Sequence, residues 1–168
     1  MMTHNHSRAR EVLKYLDNLG IEYQWIEHPP VHTVEEARKH TGHLAGIHCK
    51  NLFLRNKKGS RHYLVVMEES KTADIKRLAR KLGEDRLSFA SERRLREHLN
   101  LEPGAVSPFG LINDPERKVK VVIDSDLKSP DMIYFHPNVN TATVGLSGPD
   151  WKRFLEQAEH RIRYIDFD

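Results

Sequence analysis

Gly46-Ile47-His48-Cys49-Lys50-Asn51-Leu52-Phe53-Leu54-Arg55 runs into Asn56-Lys57-Lys58-Gly59-Ser60, and Tyr63-Leu64-Val65-Val66-Met67 follows two residues later. Leu52-Phe53-Leu54 and the run from Tyr63 to Met67 are apolar and suited to β-structure. The turn-forming residues between them, a glycine included, make the two runs a hairpin. Their apolarity is continuous rather than alternating, so both faces of the strands are expected to be covered. Lys50 and Asn51 then lie where a core strand emerges, a position from which a rigid scaffold can aim a charge at a ligand. From position alone, Lys50 reads first as a solvated residue at a strand edge, as most lysines are.

On the C-terminal side of the hairpin, Lys71-Thr72-Ala73-Asp74 starts a helix with Ile75, Leu78, Ala79 and Leu82 on its buried face and Gly83 at its end. Arg86 to Phe89 reads as a short strand, and Ser91 caps a basic helix with Leu95 and Leu99 inward. The segment from Leu101 to Asp114 is punctuated by Gly and Pro yet keeps apolar residues, unlike an exposed linker. Lys118 to Asp124 alternates, with Val119, Val121 and Ile123 on one face, and predicts a strand with one solvated side. Met132 to Phe135 and Thr141 to Leu146 are further strands. Ser147-Gly148-Pro149-Asp150 opens a helix with Trp151, Phe154, Leu155 and Ala158 inward, and Arg161 to Phe167 is a last strand.

On the N-terminal side, Ser7 is expected to cap a helix carrying Val12, Leu13, Leu16 and Leu19, stopped by Gly20. Ile21 to Glu27 reads as a strand ended by Pro29-Pro30. Thr33-Val34-Glu35-Glu36 has the form of a capping box and opens a helix to about His40. Residues 1–168 thus read as a single α/β domain with about seven strands and four or five helices, without repeat or linker.

Bulk properties narrow the class. The chain has 168 residues, 38% of them hydrophobic, and a net charge of +3. No apolar run approaches the ~18 residues that would cross a bilayer, and Met1 to His6 lacks an apolar signal core. One cysteine cannot form an internal disulfide, which fits a reducing cytoplasm. Between Lys71 and Asn100, nine basic residues face five acidic ones. Such a patch suits a polyanion such as RNA, or is an ordinary solvated helix face.

Eleven histidines raise the question of a metal. His40, His43 and His48 are close in sequence, but neither an HExxH motif nor paired cysteines accompany them, so no metal or cofactor is expected. His4 and His6 read as part of a frayed terminus. Cys49 beside Lys50 has the makings of an activated thiolate, but neighbouring strand residues point to opposite faces, so Cys49 is expected to face away. Phosphate-binding glycine loops and nucleophile elbows are missing from the sequence. What remains is a lysine, an asparagine, a Gly/Pro loop and a His-Pro turn. Backbone N–H groups in a kinked loop from Gly104 to Gly110 can converge on an oxyanion, unless that loop is only a packing connection.

Four fragments occur together: Glu27-His28-Pro29-Pro30-Val31 with Thr33-Val34-Glu35-Glu36-Ala37; Lys50-Asn51-Leu52-Phe53-Leu54; Phe109-Gly110-Leu111-Ile112-Asn113-Asp114; and Phe135-His136-Pro137 with Asn140-Thr141-Ala142-Thr143. In this order they resemble the YbaK/prolyl-tRNA-synthetase-associated editing domains, and within them the freestanding alanyl-tRNA(Pro) deacylase branch. The cysteine-clearing branch is less similar. The resemblance spans about Ala9 to Phe167. It implies a mixed, barrel-like central sheet flanked by helices, and a cytoplasmic hydrolase that removes alanine wrongly esterified to proline tRNA. It places Lys50, Gly104 and His136 at the reacting centre, with Asn51 and the loop Ala105, Val106, Ser107, Pro108, Phe109 and Gly110 binding substrate.

On that resemblance Lys50 holds the terminal phosphate or ribose, and loop N–H groups meet the carbonyl oxygen. Asn51 and His136 position the substrate, and the substrate's own 2′-hydroxyl helps orient the water. A pocket fitted to a methyl side chain excludes the proline ring. The partners implied are the acceptor end of tRNA(Pro) mischarged with alanine, contacted by the two basic helices, and prolyl-tRNA synthetase. Two alternatives keep the fold: action on Cys- or Ser-tRNA, or a module that binds tRNA or the synthetase without hydrolysis.

Overall fold

Alternating short helices and strands bring residues 4–167, described by a computed structural model, into one eight-stranded mixed sheet with helices on both faces. The elements are α1 (His4–Asn18), β1 (Gln24–Glu27), α2 (Val34–Thr41), β2 (Ile47–Asn56), β3 (His62–Glu68), α3 (Ile75–Leu82), β4 (Leu87–Phe89) and α4 (Glu92–Leu99). A 3-10 turn at Pro108–Asn113 leads to β5 (Lys120–Asp124), β6 (Met132–Phe135), β7 (Ala142–Ser147), α5 (Gly148–Ala158) and β8 (Ile162–Ile165). The strand order is β1-β7-β6-β2-β3-β5-β8, with β4 also on β2. The path is open, with β1 and β8 at its ends, so the sheet does not close into a barrel.

The predicted hairpin is the centre of this sheet. β2 and β3 pair antiparallel from Cys49 with Glu68 to Arg55 with His62. Asn56 fixes the turn, its Oδ1 accepting from the N–H groups of Ser60 (2.9 Å) and Arg61 (3.0 Å). Alternate residues of β3 feed two cores. Leu64 and Val66 join Phe109, Phe135, Trp151 and Phe154 on one face; Tyr63, Val65 and Met67 pack with Leu78 and Ala79 of α3 on the other.

The helix signals hold where the cap chemistry is strong. Thr33, Asp74, Ser91 and Ser147 each accept from the N–H three residues on, and Gly83 ends α3 in the left-handed region at φ 72°. Three expectations are corrected. α1 begins at His4, so Ser7 lies inside the helix and is not its cap, and His4 belongs to the helix rather than to a frayed end. The first strand is shorter than Ile21 to Glu27. The N–H of Ile21 bonds to the Leu16 carbonyl at 3.0 Å, and this keeps Ile21 in the turn that ends α1. β5 has no solvated side: Val122 is packed in the core under α3, and Asp124 is buried as well. Asp124 tolerates that burial because Lys71 pairs with it at 2.9 Å.

Candidate active site

β2 is paired with β3 along one edge but only at its two ends along the other. There Ile47 and His48 pair with β6, and Leu54, Arg55 and Asn56 pair with β4. The carbonyl of His48 accepts from Glu69 N on the β3 side at 2.9 Å. Peptide groups alternate between edges in an antiparallel pair, so those of Cys49, Asn51 and Phe53 face the other way. The Phe53 carbonyl accepts from Ala90 N at 2.9 Å, whereas Asn51 has no ladder partner on that edge.

A cavity of about 220 Å³ lies at this interruption. Cys49, Lys50 and Asn51 form one wall, and Val31 to Val34 with Ala37 bring the start of α2 to it. Glu69, Gly104, Val106 and His136 complete the lining. Three successive residues of one strand line it because β2 meets it along a bare edge rather than with one face. Cys49 packs toward the core that holds Phe53, Phe109 and Phe135, whereas Leu52, on the same face of β2 as Lys50, belongs to the other core, so the two side chains alternate as expected although both residues border the cavity.

The cavity's chemistry follows from which groups are engaged. Lys50 is half-buried and makes no ion pair or hydrogen bond among the described residues. Oδ1 of Asn51 is buried without a partner. His136 donates Nδ1–H to the Ala142 carbonyl at 3.1 Å, and a neutral ring then carries its lone pair on Nε2. Burial pushes the His136 pKa below the ordinary histidine value, which favours that neutral ring, and His28 nearby acts in the same direction. Burial also drives the Cys49 pKa well up, and the carboxylates of Glu68, Glu69 and Asp124 add to it. Cys49 is a thiol here and not an activated nucleophile.

Of the residues expected at the site, Lys50, Asn51, Gly104, Val106 and His136 come together. Ala105, Ser107, Pro108, Phe109 and Gly110 are not on the cavity wall. Phe109 is fully buried among Phe135 and Phe154, and Ser107 caps the 3-10 turn by accepting from Phe109 N at 3.0 Å. The N–H groups of Ala105 and Gly110 are bonded to the carbonyls of Glu102 and Ser107. Those of Gly104 and Val106, which border the cavity, and of Ser107, which does not, have no partner among the described residues. Gly104 sits at φ 84°, a conformation that disfavours a side chain although the space around it is open.

Sequence reasoning missed Glu69 and the contribution of α2. The hairpin register carried one pair further sets Glu69 opposite His48, and that was the signal for it. No group of three His, Cys, Asp or Glu among the described residues is placed to hold a metal. His48 instead bonds the Leu44 carbonyl and stacks on Tyr134.

A strand edge left bare at a lysine, residues of a Gly/Pro loop with unbonded amides and a neutral histidine together line one small polar pocket. Comparison with known proteins gives this pocket its setting: residues 28–154 match the aminoacyl-tRNA editing domain, and the chain belongs to that family. It is 44% identical over 155 residues to the prolyl-tRNA editing protein ProX of Acetoanaerobium sticklandii, covering 92% of this chain and 94% of that one. It is 40% identical to the prolyl-tRNA synthetase associated domain-containing protein 1 of Danio rerio, covering 95% and 87%. A crystal structure described as a proposed trans-editing enzyme for prolyl-tRNA synthetase superposes with TM-score 0.72 at 22% identity, over 99% of both chains.

Proposed function

We propose that this aminoacyl-tRNA deacylase clears alanine from mischarged tRNA(Pro), in trans to prolyl-tRNA synthetase, by direct attack of water on the aminoacyl ester. The observation that carries the reading is the cavity at the interrupted edge of β2, which is lined by Lys50, whose ammonium is unpaired among the described residues, and by Gly104 and Val106, whose peptide N–H groups are also unpaired there. Lys50 binds the phosphate or ribose at the 3′ end through a charge-assisted hydrogen bond. The amides of Gly104 and Val106, with that of Asn51, supply donors for the carbonyl oxygen as negative charge develops. Losing one such donor typically costs about 2.7–4 kcal/mol of transition-state stabilisation.

No acyl-enzyme is invoked, because the one cysteine on the wall is held as a thiol. The free Nε2 of His136 orients the attacking water, together with the substrate's 2′-hydroxyl. On this reading the walls formed by α2 and β2 act as a size filter that admits a methyl side chain and turns away a proline ring. Among the described residues no helix is long and apolar enough to cross a membrane, and we assign the activity to the cytoplasm, where its tRNA substrate is.

The test is deacylation of Ala-tRNA(Pro), with Pro-, Ser- and Cys-tRNA(Pro) alongside, in metal-chelated buffer. Alanine is expected to be released selectively. Equal hydrolysis of the prolyl ester would remove the size filter, and tRNA binding without hydrolysis of any ester would make the domain a binding module.

A further inference from the structure

The cavity holds a second charge that the ester chemistry does not use. Glu69 lines it, with a side chain only 12% exposed, and its Oε1 accepts from Arg38 Nε of α2 at 3.1 Å. Glu69 pairs with Arg38 and not with Lys50, although both Glu69 and Lys50 line the same space. Oε2 of Glu69 has no partner among the described residues. On the strand wall the Oδ1 of Asn51 is a buried acceptor that nothing satisfies. A buried acceptor without a donor is destabilising, so a ligand that brings a donor gains by reaching it.

The cavity therefore carries an unneutralised ammonium together with a carboxylate anchored by Arg38, and near them an acceptor without a donor. A ligand complementary to that arrangement has an anionic end for Lys50 and a cationic, multiply donating end for Glu69 and Asn51. An aminoacyl ester at the 3′ end of a nucleic acid has both, a phosphate and a free α-ammonium. We propose that Glu69 is a specificity-determining residue that reads the free α-ammonium of the aminoacyl group, with Asn51 as its companion acceptor. The domain then acts on unblocked aminoacyl esters and spares N-acylated ones, the class to which peptidyl-tRNA belongs. An N-acyl group removes the positive charge and leaves a single N–H, so the anchored carboxylate faces a neutral amide. Arg38 sets the geometry from outside the cavity and leaves one carboxylate oxygen for the ligand.

This inference rests on the editing reading, and one experiment separates the two. The wild-type protein and Glu69→Gln are assayed on Ala-tRNA(Pro) and on N-acetylalanyl-tRNA(Pro). The wild type is expected to prefer the free amine, and Glu69→Gln to lower kcat/KM for the alanyl ester by at least about tenfold, the size of one charge-assisted bond. The slower N-acetyl reaction stays unchanged in the variant, so the preference narrows. That unchanged rate also excludes loss of folding, which would slow both esters alike. Equal wild-type rates on the two esters, or equal slowing of both by Glu69→Gln, would overturn the role of Glu69. A wild-type protein inert toward both would sink the editing reading itself, before any variant is compared.

Discussion

Lys50 brings a positive charge to a cavity wall with no counter-charge to hold it, so its substitution separates chemistry from stability. Lys50→Ala is expected to lower kcat/KM for alanyl ester hydrolysis by about 10- to 150-fold, the range of a charged hydrogen bond lost. The thermal midpoint is expected to stay close to that of the wild type, because Lys50 makes no ion pair or hydrogen bond among the described residues that the substitution would break. Single-turnover assays and a melting curve on the same preparation check both halves, and retained activity would take Lys50 out of the mechanism. That Lys50, Asn51 and His136 border one cavity was legible from their motifs, although Lys50 and Asn51 lie within β2 and not at the mouth of the strand where the sequence had set them. Ser107, Phe109 and Gly110 belong to an equally distinctive stretch yet serve packing: Phe109 is core, and a Cβ on Gly110 would come within 2.7 Å of Leu101. A motif records that a residue matters, and burial decides whether it matters to the substrate or to the fold.

Between elements, the contact of β3 with α4 is built on a histidine and is sensitive to acid. Arg94 donates to Nε2 of His62 at 2.9 Å, and His98 lies against the same ring with centroids 4.0 Å apart. Burial, then His98, Arg94 and Arg55, push the His62 pKa down to about 4. The folded state thus holds His62 neutral while the unfolded chain takes a proton near the ordinary value of about 6.5. Stability from this site is complete above that value and is lost as pH falls from about 6.5 toward 4, where protonation breaks the bond to Arg94. Denaturant midpoints across that window are expected to fall less steeply for His62→Gln than for wild type. Identical slopes would assign the acid sensitivity to other groups, such as His98 or His136. Element types were readable here from capping residues and periodicity. The covered second face of β5 was not: alternation shows which residues face a known core, but not that α3 returns over the other side.

Across the whole molecule, charge is less concentrated than the sequence suggested. Arg93 pairs with Glu97, Arg96 with Glu92 and Glu102, and Arg94 is turned inward to Gly59 and His62. α4 therefore offers little free positive charge. Lys76, Arg80 and Arg86 remain exposed on a groove beside α3 and β4, with Asp85 as its acidic member. That groove reaches Leu87, which pairs with Asn56 on β2, roughly 20 Å along the strand from Lys50. An acceptor stem on this groove would let its unpaired 3′ end run back along β2 to the cavity. Replacing Lys76 and Arg80 together by Ala is then expected to weaken tRNA binding and to reduce the slope of log affinity against log salt by about 2. Single-turnover hydrolysis of saturating substrate should be preserved. An unchanged salt slope would place the stem elsewhere on the surface.

The interruption in the pairing of β2 has an evolutionary meaning. It is written into the backbone, by where β6 stops and β4 begins, and not into any side chain. Exchanging a side chain on the wall therefore changes what the slot can hold, and leaves the slot itself in place. A fold that carries its slot in the backbone can change selectivity by side chains alone, without rebuilding the sheet.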